Sequence, residues 1–91
     1  MQAQTKILVV DDNEVVRLSL LRSLRNASRS VQLADNAAEA VRLLEQERFD
    51  VVLLDLRMPG MDGLSFLKIL KQRLPECEAI VITELPYQVN K

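Results

Sequence analysis

The sequence predicts an α/β fold, a doubly wound parallel sheet with helices on both faces. Three observations carry that expectation. Short apolar runs of strand length alternate with helix-periodic segments in the order βαβαβαβ. Two of the runs, residues 6–10 (KILVV) and 50–54 (DVVLL), are apolar almost throughout, as strands covered on both faces are. The runs end in polar residues of one kind: Asp11-Asp12, Asp35, Asp55 and Thr83.

Each element follows from its local pattern. After the first strand, residues 13–26 space Val16, Leu20 and Leu24 along one side of a helix, with Glu14, Arg17, Arg22 and Arg25 elsewhere and Leu18 and Leu21 at the flank or surface. Residues 30–34 (SVQLA) alternate, which places the second strand half-exposed at a sheet edge. Asn36 reads as an N-cap with Glu39 completing a capping box. The helix it opens, 37–47, puts Ala37, Ala40, Val41 and Leu44 on one face. The third strand leads into Asp55. The turn over 57–62 then releases a helix over 63–73, capped by Asp62, buried through Phe66, Leu67, Leu70 and Leu74 and ended by Pro75. Residues 79–83 (AIVIT) make the fourth strand. Right-handed crossovers restrict such an order to few topologies.

Composition narrows the function. A chain of 91 residues, 48% hydrophobic and 27% charged, fits one globular domain spanning 1–91. A net charge of -1 gives no electrostatic footprint for nucleic acid or an anionic membrane. No apolar run approaches the roughly 18 residues of a membrane span, and the N-terminus does not read as a signal peptide. With no histidine in the chain, serine-triad and histidine–zinc chemistry are excluded. The single Cys77 reads as a loop bystander in a reducing cytoplasm. The Lys68, Lys71 and Arg73 cluster reads as a solvated helix face.

Ligands of open parallel sheets bind beyond the carboxyl ends of the strands. If the first and third strands are neighbours, about 4.8 Å apart, Asp11, Asp12 and Asp55 converge. Carboxylates at that range repel unless a cation joins them, and a hard ion with oxygen ligands and retained waters, Mg²⁺ rather than Ca²⁺, suits so small a set. Asp55 beside such an ion can act as a nucleophile toward phosphorus, with the Thr83 hydroxyl available to the incoming phosphoryl oxygens. Asp11 and Asp12 also suit helix N-capping, and one of the pair can cap while the other binds metal.

Together KILVVDDN, FDVVLLDLRMPGMDG and AIVIT resemble the receiver domain of two-component response regulators, over residues 6–83. The resemblance implies a flavodoxin-like fold, with strand order 2-1-3-4 for the part present here, and a phosphorelay function in the cytoplasm. It implies that Asp55 accepts a phosphoryl group from a histidine kinase with Mg²⁺. Asp12 then matches the direct metal ligand and Asp11 the acid acting largely through metal-bound water. Arg57 matches the position whose carbonyl binds the metal, and Thr83 the switch hydroxyl. Met58-Pro59-Gly60 and Gly63 match the turn that shapes the acceptor loop.

Two departures from the family pattern shape the remaining expectations. Glu84 stands where the family has a small residue, and an acid there would repel a phosphoryl anion. The chain reads as C-terminally truncated, because the family's last helices, fifth strand and phosphoryl-pairing lysine would follow Lys91. An open fourth strand would favour self-association through Ile80, Ile82 and residues 85–87. The alternative function is therefore a degenerate receiver that works by phosphorylation-independent binding or oligomerisation. A phosphohydrolase of the haloacid-dehalogenase kind would carry an Asp where Arg57 stands. The chain is thus expected to be no enzyme beyond self-catalysed phosphoryl transfer.

Overall fold

The computed structural model describes residues 4–56, 58 and 63–82. Arg57, Asp62, Thr83, Glu84 and residues 85–87 lie outside these. Seven elements follow in order: β1 (Thr5–Val10), α1 (Glu14–Leu24), β2 (Arg29–Ala34), α2 (Ala37–Gln46), β3 (Val51–Asp55), α3 (Gly63–Arg73) and β4 (Glu78–Ile82). The strands form one parallel sheet in the order β2-β1-β3-β4. From β1 the chain steps one way to β2, then back across to β3 and on to β4. Right-handed crossovers therefore place α1 on one face and α2 with α3 on the other.

The period of two along the strands divides the core accordingly. Leu8, Val10, Val52 and Leu54 face α2 and α3, where they meet Ala40, Leu43, Phe66 and Leu70. Ile7, Val9 and Leu53 face α1, which covers them with Leu20 and Leu24. Burial on both faces is why the KILVV and VVLL runs carry no alternation. The outer strand β2 has a single fully buried residue, Ala34, as its alternating pattern implies.

The strands start in register through Asp50. Its carboxylate accepts the Lys6 N–H at 2.8 Å. Its own N–H donates to the Lys6 carbonyl at 2.8 Å, and its carbonyl accepts from Glu78 at 2.9 Å. One residue thus ties the beginnings of β1, β3 and β4.

Several expectations change in detail. Cys77 sits in the loop before β4, and burial pushes its thiol pKa up and away from reactivity, but at 3% exposure it also packs into the α2/α3 core. Lys68, Lys71 and Arg73 are all exposed, as a solvated helix face requires, and the Lys71 Nζ also donates to the Cys77 carbonyl at 2.9 Å. Leu43, left out of the apolar stripe, is buried with Ala40. Ile82 packs toward the α1 side of the core, so the exposed apolar side chains of β4 are Ile80 and Val81.

Half of the expected capping box forms. Asn36 Oδ1 accepts the Glu39 N–H at 2.7 Å. The Glu39 carboxylate, however, turns to the Arg42 guanidinium, one helical turn on, where a charged donor outcompetes a backbone amide. The cap alone should still matter. Asn36→Ala is expected to cost about 1 kcal/mol in urea unfolding, with an unchanged m-value. An undetectable change would mean that α2 is held by packing alone.

Candidate functional site

Strand register assembles the site. Val10 pairs with Leu54 across the central ladder, so Asp11, next along β1, and Asp55, last in β3, emerge side by side at the carboxyl edge. Asp55 pairs in turn with Ile82 of β4. One carboxylate oxygen each from Asp11, Asp12 and Asp55 lies within 4.8 Å of the other two. The three acids singled out from sequence therefore do converge. Arg57 and Thr83, the other two site residues expected from sequence, fall outside the described residues.

The acids differ in setting. Asp11 and Asp55 are buried, at 3% and 8% exposure, whereas Asp12 is exposed. Burial that would be costly for a lone carboxylate is partly compensated at Asp11, whose Oδ1 accepts the Asn13 N–H at 2.9 Å. Asn13 is also the N-cap of α1, its Oδ1 accepting from Val16 at 3.1 Å. The loop between β1 and α1 is thus wound tightly around Asp11, and neither Asp11 nor Asp12 caps the helix. Sequence reasoning missed this role of Asn13, although Asn before a helix is a standard capping signal.

A second feature was not foreseen. Arg17, placed on the polar side of α1 by its periodicity, is half-buried, and its Nη1 donates to the main-chain carbonyl of Asp11 at 2.7 Å. A side-chain bond to a carbonyl six residues earlier leaves no mark in a periodicity plot.

On the far side of Asp55, Met58 is buried in the α2/α3 core. It anchors the chain just beyond β3. Gly63 opens α3 against Leu56: a Cβ there would overlap Leu56 Cδ2 and lie 3.0 Å from Leu56 Cα. The glycine therefore permits a close backbone approach directly behind the acidic cluster.

Electrostatically the cluster is strained. Burial pushes the Asp11 pKa above its ordinary range, the Asn13 N–H pulls part of it back, and the Asp55 and Asp12 carboxylates raise it further. The folded protein then holds a proton on Asp11 more tightly than the unfolded chain does. That contribution to stability is full in acid and is lost as pH rises through the folded pKa. Asp11→Asn keeps the oxygen that accepts from Asn13 and removes the buried charge. Without divalent cations it is expected to be more stable than the wild type at neutral pH, by about 1–2 kcal/mol, the scale of one ill-matched buried polar group. The advantage should vanish in acid. Urea unfolding at several pH values reads this, and an Asp11→Asn protein less stable at neutral pH would refute it.

Such an arrangement suits a hard divalent cation. Three convergent oxygen donors, two of them buried and mutually repulsive, gain from a positive ion between them.

Comparisons with known proteins bear on the family and the fold. The family model for the response regulator receiver domain matches residues 7–89. The DNA-binding transcriptional regulator NtrC of Escherichia coli (strain K12) is 43% identical over 77 residues, covering 85% of this chain. The response regulator MprA of Mycolicibacterium vanbaalenii is 42% identical over 78 residues, 86% of this chain. The chain spans 16% of the length of NtrC and 34% of that of MprA. Among solved structures, a CheY-like receiver domain protein from Methanospirillum hungatei superposes with a TM-score of 0.86 at 27% identity, covering 93% of this chain and 68% of that one. The response regulator TrrA from Thermotoga maritima, solved in complex with Mg(2+)-BeF, gives 0.83 at 29% identity, with 91% and 72% covered.

Proposed function

The chain belongs to the response regulator receiver family, and from that premise we propose that it accepts a phosphoryl group on Asp55 from a histidine kinase, with Mg²⁺ as cofactor. The observation that carries the proposal is the convergence of the Asp11, Asp12 and Asp55 carboxylates at the carboxyl edge of the sheet. Family membership supports phosphorelay signalling in general; the acid cluster supplies the chemistry for it.

The roles divide by position. Asp55 ends the central strand β3, so its carboxylate is held by a paired backbone rather than by a loop. In the transfer, one Asp55 oxygen forms the new O–P bond while the N–P bond to the kinase histidine breaks. The imidazole leaves with its electron pair and takes up a proton. Asp11 and Asp12, with Asp55, would hold Mg²⁺, which when bound offsets the negative charge shared by carboxylates and phosphoryl oxygens. The capture of TrrA with Mg(2+)-BeF supports this choice of ion. Arg57 through its carbonyl and Thr83 through its hydroxyl complete the proposed site from the family pattern. Asp55 is consumed and regenerated rather than turning over a substrate, so the domain serves as a phosphoacceptor and no enzyme in the ordinary sense. Its proposed setting is the cytoplasm, which suits a single buried free thiol. Among the described residues no helix is long and apolar enough to cross a membrane.

The test is direct. An acyl-phosphate donor with Mg²⁺ should add one phosphoryl group, seen by mass spectrometry of the intact protein and lost on alkaline hydrolysis. No uptake at all would overturn the proposal. If sedimentation of the same samples then showed association through the β4 surface bearing Ile80 and Val81, the binding-module alternative would replace it.

A further inference from the structure

Asp11, the residue before Asp12, is held by three groups outside the acidic cluster. The Asp11 N–H donates to the Ala34 carbonyl of β2 at 3.1 Å. The Asp11 Oδ1 accepts from Asn13 at 2.9 Å, and the Asp11 carbonyl accepts from Arg17 Nη1 at 2.7 Å. The backbone N–H, the carbonyl and one carboxylate oxygen of Asp11 are therefore each committed to a direction. The orientation of the following residue, Asp12, depends on the peptide plane that Arg17 holds, because two soft dihedrals are all that separate successive planes. Arg17 shares a surface groove with Glu14, Asp35 and Glu39. Among the described residues it is nevertheless the Asp11 carbonyl that the guanidinium engages, at a distance typical of a charge-assisted bond.

From these contacts we infer that Arg17 is a positioning residue for the metal site: by fixing the Asp11–Asp12 peptide it sets the direction from which the Asp12 carboxylate meets the ion. The inference rests on the phosphoacceptor reading for its purpose but not for its geometry. It also makes a prediction whose sign opposes simple electrostatics. A guanidinium near the site repels a divalent cation, so deleting its charge alone would tighten Mg²⁺ binding. Deleting a positioning residue should weaken it.

The experiment is a Mg²⁺ titration of the unphosphorylated protein, followed by the Asp12 amide signal in a nitrogen-15 NMR spectrum. Arg17→Met should bind Mg²⁺ about tenfold more weakly, a difference of about 1.4 kcal/mol. Arg17→Lys, which can reach the carbonyl with one donor, should recover part of the loss. Arg17→Gln, too short and uncharged, is read in the same way should the Met variant fail to fold. Phosphoryl uptake in Arg17→Met should be slow at limiting Mg²⁺ and approach the wild-type rate at saturation, a split that general loosening of the fold would not produce. Unchanged or tighter Mg²⁺ binding in the folded Met or Gln variant overturns the inference, as does a wild type that binds no Mg²⁺. A wild type that binds Mg²⁺ in an Arg17-dependent way, yet takes up no phosphoryl group, sinks the acceptor reading and leaves this inference standing.

Discussion

Asp55→Asn is expected to reduce phosphoryl uptake to background while leaving the fold intact. The substitution preserves the shape of the side chain at the end of β3 but replaces an anionic nucleophile by a neutral amide, which lacks the electron density to attack phosphorus. Asp11 and Asp12 remain in the same cluster. They are not expected to substitute, because Asp11 is buried with Oδ1 committed to Asn13, and Asp12 lies on the loop rather than on the paired strand. The metal-free variant should be at least as stable as the wild type, since one charge that pushes on Asp11 is gone. Mass spectrometry with an acyl-phosphate donor reads the first expectation and urea unfolding the second. A phosphorylated Asp55→Asn protein would move the acceptor to another carboxylate.

The largest effect on stability is expected one residue earlier. Leu54 is fully buried in the α2/α3 core and pairs in register with both Val10 and Val81. Leu54→Ala leaves a cavity that paired strands on either side cannot close, and such truncations cost about 2–5 kcal/mol. Against the roughly 5–15 kcal/mol by which a domain is stable, that is a large share. Val15→Ala on α1, at a side chain 72% exposed, should change stability by less than about 0.5 kcal/mol and serves as the control. Denaturant midpoints at a constant m-value measure both. A Leu54→Ala penalty no larger than the Val15→Ala one would contradict the core described above.

The parts of this protein that were legible in its sequence are those with a periodic or positional signature. Strands buried on both faces leave unbroken apolar runs and the edge strand β2 an alternating one, and all four strands lie within one residue of where their patterns place them. The helix faces were legible through Leu20 and Leu24, and through Phe66 and Leu70, because a side chain that packs on a sheet must recur each turn. The acid triad was legible because parallel pairing brings strand ends together regardless of what intervenes. Contacts made by a side chain with a main-chain carbonyl were not. Arg17 on Asp11 and Lys71 on Cys77 both stand at positions where a charged residue normally faces water, and only the tertiary path of the loop supplies their acceptors. The burial of Cys77 was hidden for a related reason. A single small residue between a Pro-Glu turn and a strand has no periodicity to reveal that it points inward.

The three-way tie at Asp50 has a consequence for how the chain reaches its fold. The β1–β3 contact it makes joins residues 44 apart in sequence, whereas β1 meets β2 around a single helix. Closing the longer loop costs more chain entropy, and pairing of distant segments is what slows parallel sheets. The β1–α1–β2 and β3–α3–β4 units are therefore expected to collapse early, each around its own crossover helix. Their docking along the β1–β3 seam would then limit the folding rate. A one-residue slip there would turn Leu8, Val10, Val52 and Leu54 to the wrong partners. Asp50 bonds at once to the N–H and the carbonyl of Lys6, so it rewards a single alignment of the two halves and leaves slipped encounters free to separate and try again.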